Sequence, residues 1–191
     1  MVVTVMNDIR EEDLEVHETR SAKETAAVQA FMQEHALRTH GCEPPESRGI
    51  VVGVWLQGIV VGSATLDFRS GDDIFPLEDL YGSAAVALLF PEGLCRERVV
   101  QGGRWFSALP RSPVSRCVAR AFAQAAQARG AYAMFSEAKP YAFKRMNEWR
   151  FEMRLNQEAR ANLALVPAAG LAYYETPPSP CLFRMELRSM L

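Results

Sequence analysis

Sulfur, imidazole and clustered carboxylates are the side chains whose chemistry reads most directly from a sequence, and here they are dispersed. The four cysteines, Cys42, Cys95, Cys117 and Cys181, form no Cys-x-x-Cys pair. Reduced, buried thiols are therefore expected in place of a disulfide framework or a zinc ribbon. His35, His40 and Cys42 stand close together, but i and i+5 do not share a helical face, and the chain offers no second ligand cluster to complete a tetrahedral site. No metal is expected. There is no Gly-x-Ser-x-Gly elbow, P-loop, His-Glu-x-x-His or Gly-x-Gly-x-x-Gly. Hydrolase, nucleotidase, zinc-protease and dinucleotide chemistry thus lose their usual anchors.

The chain does separate its charge. Residues 1–95 carry 6 Lys/Arg against 16 Asp/Glu, a balance of −10, while residues 96–160 carry 13 against 5, a balance of +8. A basic half suits an anionic partner such as a phosphorylated cofactor or an acidic carrier protein, and equally suits two solvated faces of one fold. Nucleic acid is not expected, because no basic run is interleaved with aromatics. With 191 residues, 49% hydrophobic and 23% charged, the composition is that of one folded domain. No apolar run reaches the roughly 18 residues of a membrane span. The opening MVVTVMNDIREEDLEV turns acidic at once, unlike a secretory signal, so a cytoplasmic protein is expected.

The elements that must position any chemistry follow from periodicity and turn signals. Residues 21–36 read as a helix, with Ser21 as cap, Glu24 completing a capping box, and Ala27, Val28, Phe31, Met32 and Ala36 as the apolar stripe. The two β-rich runs of 50–68 meet at Gln57-Gly58, a hairpin signal. Residues 75–90 read as helix interrupted near Gly82, and 97–109 as a strand bulged at Gly102-Gly103. The clearest helix is 111–130, with Ser112 as cap, Pro113 at its first position and Gly130 as its stop. A strand (131–138), a helix opened by Pro140, a strand (151–156), an irregular stretch (157–180) and a last strand (181–187) complete the order. The expected fold is α/β with about seven strands and about four helices. Residues 1–13 are read as a tail or an added strand, and 14–191 as one domain.

This order resembles the GNAT acyltransferase superfamily, and the segment from Trp105 to Glu152 carries the likeness best. VGSATLDFRSGDDIFPLEDLYG followed by VVQGGRWFSA is further similar to the acyl-homoserine-lactone synthase and N-acyl amino acid synthase branch. Its matching residues are Gly62, Phe75-Pro76, Gln101, Arg104 and Trp105. The resemblance implies a mixed central sheet that splays between its fourth and fifth strands. It also implies acyl transfer from a phosphopantetheine thioester, acyl-CoA or an acidic acyl carrier protein, to the primary amine of a small molecule. A fold-mate that binds the donor or a protein partner without turnover is the alternative.

Position along this order, set against what aminolysis of a thioester requires, gives the expected roles. Phe106, Ser107 and Leu109 would face the pantetheine arm, and Arg111, Ser112, Val114, Ser115 and Arg116 the phosphates. Glu137 or Glu97 would accept the proton of the amine, and Ser136 or Tyr141 would donate to the leaving sulfur. Arg104 would act near the reacting groups. The family's tyrosine falls near Met146, where none stands, and its strand carboxylate is replaced by Gln101.

Overall fold

In the computed structural model, which describes residues 9–42, 49–109 and 113–191, the apolar strands assemble into one mixed seven-stranded sheet. The strands are β1 (Leu14–Glu18), β2 (Ile50–Leu56), β3 (Ile59–Asp67), β4 (Val99–Ser107), β5 (Ala133–Ala138), β6 (Met153–Asn156) and β7 (Cys181–Glu186). Their order is β1-β2-β3-β4-β5-β7-β6. Every neighbouring pair is antiparallel except β4 and β5, which run parallel. The hairpin expected at Gln57-Gly58 forms with both residues at positive φ, 52° and 77°, the backbone sign of a tight turn whose twist matches its strands. At the amino end Glu11–Asp13 is a 3-10 turn that leads into β1, while residues 1–8 lie outside the described residues.

The sheet is covered on both faces. α4 (Val114–Gln127) buries Val114, Val118, Phe122 and Ala126 against Val54, Ala64, Val100 and Met134. α5 (Pro140–Glu148) adds Phe143 and Met146 to the same core. On the opposite face α1 (Ala22–His40) sets Val28 and Met32 on Val51 and Trp55. Beside it α2 (Pro76–Tyr81) and α3 (Ser83–Ala87) pack around Phe75, Leu77, Val86, Val99 and Phe135.

Six α-helices are present among the described residues, where about four were expected. The 75–90 stretch divides at Gly82, which sits at φ 85°, where the interruption was read. The stretch 157–180, read as irregular, contains α6 (Leu171–Glu175). Five residues span little more than one turn, too short to show a helical period.

Two boundaries differ from expectation for physical reasons. Ser21 caps α1 by accepting from the Glu24 amide at 3.2 Å, but the Glu24 carboxylate reaches past the cap to the Arg20 amide at 2.6 Å. The helix also continues to His40, and left-handed Gly41 (φ 65°) ends it. At α4 the cap position is Pro113; the predicted cap Ser112 lies outside the described residues. The two charged halves meet across the fold, since Arg120 pairs with Glu11 at 2.6 Å and Arg129 with Glu18 at 2.7 Å. Part of the charge separation is thus closed internally. Among the described residues no helix is long and apolar enough to cross a membrane.

Gly62 fixes how closely α4 approaches the sheet. A Cβ there would stand 2.7 Å from Val118 Cγ2 and 2.9 Å from Val114 Cγ1. Gly62→Ala is therefore expected to destabilise the protein by about 1–3 kcal/mol through overpacking, checked by chemical denaturation. An unchanged midpoint would mean that α4 is not held at this distance.

Candidate functional site

The site begins where two strands part. β4 and β5 pair over Val99–Gln101 and Ala133–Phe135, and no further pairing is present among the described residues. Two features of β4 turn it away. Gly102 lies so close beneath Met134 and Phe122 that a Cβ would stand 2.5 Å from Met134 Cε. Arg104 then takes left-handed φ 50°, opposite a register shift between Ser63 and Thr65 of β3. The bulge read at Gly102-Gly103 thus has its strained residue one position later, at Arg104. At the fork Ser136 Oγ donates to the Gly102 carbonyl at 2.7 Å, a cross-tie between strands whose backbones no longer reach each other.

Beyond the fork β5 presents Glu137 to the face covered by α1 and α2. The carboxyl accepts from the Tyr81 hydroxyl on Oε2 at 2.5 Å and from the Tyr174 hydroxyl on Oε1 at 2.6 Å. Burial raises its pKa, against the two phenol hydrogen bonds and the Lys139 charge, which lower it. Tyr81 and Tyr174 are themselves pushed far above the ordinary phenol range, first by burial and then by the Glu137 charge. They therefore stay protonated donors.

A short chain of bonds explains why α2 delivers Tyr81. Gln101 of β4 accepts from the Leu77 amide at 2.9 Å. Buried Glu78 accepts from the Phe75 amide at 3.0 Å and pairs with Arg96 at 2.6 Å. Gln101, where the resemblance implies a strand carboxylate, is a helix anchor here. Tyr174 comes from α6.

A basic and aromatic wall stands beside the carboxyl. Lys139 is 6% exposed, donates to the Thr176 carbonyl at 2.5 Å and lies 4.9 Å from the centre of the Tyr173 ring. Burial lowers its pKa, while Glu137 and Cys42 act in the other direction. The His40 ring packs against Tyr173 at 5.0 Å and Phe106 at 6.4 Å, and His35 against Phe106 at 5.0 Å. Both imidazoles are lowered in pKa by burial, His35 further by Arg38 and His40 by Lys139. His40 is thus a site neighbour delivered by the last turn of α1.

The predicted residues divide into groups. Glu137, Ser136 and Phe106 gather at the fork. Tyr141, 60% exposed, opens α5 at its rim. Arg104 sits on the bulge with Nη1 3.5 Å from Thr65 Oγ1. Ser107 Oγ accepts from the Leu109 amide at 3.3 Å, where β4 ends. Val114 and Ser115 are buried in the first turn of α4, and Arg116 is exposed beside them. Arg111 and Ser112 lie outside the described residues.

Glu97 is not part of the group. It precedes β4, at the strand end away from the fork, where it accepts from the Gly71 amide at 3.1 Å. Sequence reasoning missed Tyr81, Tyr173, Tyr174 and Lys139. The Tyr-Tyr pair in an otherwise small, apolar stretch was the signal available for two of them. An open depression lined by Glu92, Glu152, Arg154, Arg184 and Glu186 lies toward the start of β5. There Arg184 pairs with Glu92 and Glu186, each at 2.5 Å.

Chemically, the fork offers a strand edge with no strand partner among the described residues, a helix start beyond it, and a carboxyl of raised pKa held by two phenols. A desolvated carboxylate is a stronger proton acceptor than one in water, and helix starts favour anions.

No family model matches this sequence, and no curated protein sequence does either. Solved structures do resemble it. The N-acyl amino acid synthase FeeM from uncultured soil microbes aligns over 93% of this chain and 92% of its own, with 11% identity and a TM-score of 0.63. The AHL synthase LasI aligns over 91% and 89%, with 11% identity and a TM-score of 0.61. BjaI, a CoA-dependent acyl-homoserine lactone synthase solved with SAM and isopentyl-CoA, aligns over 93% and 86%, with 10% identity and a TM-score of 0.58. At these identities the likeness is one of fold, and it agrees with the mixed seven-stranded sheet parting between β4 and β5.

The raised pKa of Glu137 has a thermodynamic sign. The folded protein holds this proton more tightly than the unfolded chain, so the group's contribution to stability falls as pH rises from the ordinary carboxylate range through the raised value. Glu137→Gln removes that ionisation. The melting-temperature difference, variant minus wild type, is expected to grow as pH rises from about 4 to about 8. A difference independent of pH would refute the desolvated carboxyl.

Proposed function

We propose that the protein is an N-acyltransferase that moves an acyl group from a phosphopantetheine thioester to a primary amine of a small molecule. The observation that carries this reading is the Glu137 carboxyl of raised pKa at the parting of β4 and β5, in a fold shared with acyl-transferring synthases.

In this reading the thioester arm lies along the strand edge of β4 past Gln101, near Phe106, Ser107 and Leu109. Its phosphates meet Val114 and Ser115 at the start of α4, with Arg111, Ser112 and Arg116. The acceptor occupies the α1 and α2 face beside Glu137. The ionised carboxylate takes a proton from the substrate ammonium, and the neutral nitrogen attacks the thioester carbonyl carbon. A carbon–nitrogen bond forms, the carbon–sulfur bond breaks, the departing thiolate is protonated by Tyr141 at the rim, and the second proton shed by the attacking nitrogen passes through solvent to restore the Tyr141 phenol. Ser136 is the weaker candidate for that step, because its hydroxyl proton already serves the Gly102 carbonyl. Arg104, held by its bulge, places positive charge near the fork.

The donor is acyl-CoA or an acyl carrier protein. The carrier is supported by the basic balance of residues 96–160, with Lys144 and Arg145 exposed or half-exposed on α5.

Two measurements test the reading. A donor that binds only the folded state stabilises it by about 2.7 kcal/mol at a hundredfold excess over Kd. Acetyl-CoA, long-chain acyl-CoA and long-chain acyl carrier protein are compared by thermal unfolding. At least one is expected to raise the melting temperature, and Arg116→Ala to reduce that rise while leaving the unliganded protein unchanged. No shift with any of the three overturns the donor site.

The stabilising donor is then followed for amine-dependent thiol release across a panel of amines. Glu137→Gln is expected to lower the rate by roughly 100-fold or more, the range for loss of a general base. Donor binding with no thiol release under any amine would instead favour the non-catalytic binding protein.

A further inference from the structure

The carboxyl that the acceptor must reach is half-buried and occupied at rest. Each of its oxygens carries a phenol hydrogen bond, Oε2 from Tyr81 and Oε1 from Tyr174. An amine can take either phenol's place only if that tyrosine leaves.

The two are held very differently. Tyr81 is buried, on a helix fixed by Gln101 to the Leu77 amide and by buried Glu78 to both the Phe75 amide and Arg96. Tyr174 sits on α6, in which no residue is buried, within a stretch that exposes Leu163 (42%) and Leu165 (57%). Segments with few buried apolar contacts open at low free-energy cost.

The Tyr174 ring packs against the cluster around Phe75 and Phe135, and the other ties of α6 near the site are polar. Besides the Tyr174 hydroxyl, Lys139 donates to the Thr176 carbonyl at the carboxyl end of α6 and faces the Tyr173 ring. The Tyr173 ring meets the edge of the His40 ring at 5.0 Å.

We propose that α6 is a gate over Glu137, with Lys139 as the latch that holds it shut and Tyr174 as the bolt occupying the position the acceptor amine takes. When the gate opens, Tyr174 withdraws from Oε1 and the incoming ammonium replaces its hydroxyl, so the carboxylate exchanges one hydrogen-bond donor for another and is never left bare. Lys139 is a positioning residue in this scheme. It acts through α6 and does not touch the reacting atoms. The inference rests on Glu137 as the base, but its test does not use catalysis.

The full chain is treated with a water-soluble carbodiimide and glycine ethyl ester, and coupling at Glu137 is followed by peptide mass spectrometry. Amide hydrogen exchange of residues 171–176 and of α4 is measured in parallel. Lys139→Met keeps the buried stem and removes the charge; Tyr174→Phe keeps the ring and removes the bolt. Lys139→Met is expected to speed both Glu137 coupling and exchange at 171–176 about tenfold or more while α4 exchanges as in wild type, and Lys139→Arg to restore the slower rates in large part. The gate is overturned if Lys139→Met leaves either rate at the wild-type value, or speeds α4 equally. Should Lys139→Met not fold, unchanged Glu137 coupling in Tyr174→Phe overturns it. A chain that passes these tests but turns over normally as Glu137→Gln keeps its gate and loses only the assignment of the base.

Discussion

A parallel pair of strands that stays zipped to its end has no room between its backbones. Here β4 and β5 separate after three residue pairs, and the whole candidate site depends on that separation. The cause is local. A glycine pressed beneath Met134 and Phe122 is followed two residues later by an arginine at positive φ, a conformation that costs a non-glycine residue of order 1–3 kcal/mol. The register shift on β3 accommodates the extra length. The separation leaves backbone groups unpaired by strand, and Ser136 answers one of them by donating to the Gly102 carbonyl at the point of divergence. The fork is thereby stabilised as a fork instead of closing or fraying further.

With the strands apart, Glu137 meets side chains from elements distant in sequence, and its environment is a balance of opposed effects. Burial disfavours the carboxylate, whereas two phenols and the Lys139 ammonium favour it. Each phenol is kept in its protonated form by the same enclosure. A carboxyl so placed stays ionisable while remaining more basic than one in water, which is the condition a proton acceptor for an alkylammonium must meet. Lys139 cannot be read apart from this group, because the two are mutually stabilising charges in one partly desolvated volume.

The parts of this arrangement that sequence shows are those written in local pattern. The hairpin at Gln57-Gly58, the break at Gly82, the long helix ending near Gly130 and the bulge beside Gly103 are each signalled by residues within a few positions, and each is present. Glu137 and Ser136 follow from placing β5 after the helix. Long-range partners are not written that way. Tyr81 reaches Glu137 across 56 positions, and Tyr174 across 37. A five-residue helix inside a Pro-rich connection shows no period to read. Arg120 and Arg129 belong to the basic half of the chain, and their partners Glu11 and Glu18 lie more than a hundred residues away. Composition registers that charge separation without revealing how much of it the fold closes upon itself.

Where the chain departs from the groups that the resemblance implies, other side chains stand in its structure. Gln101 stands where the resemblance calls for a carboxylate, yet its side-chain oxygen accepts the Leu77 amide and so sets the angle of α2. That angle carries Tyr81 over β5, where its hydroxyl meets Glu137. The acidic function on β4 and the tyrosine expected near Met146 are both absent from their usual places, and a carboxyl and two phenols stand together one strand away. An amide at 101 does what a carboxylate there would do less well, since it anchors a helix without placing a second negative charge near Glu137. Two carboxylates close together would raise one pKa further and hold a proton between them. The single carboxyl, with two phenols and one ammonium beside it, has no second carboxylate with which to share a proton.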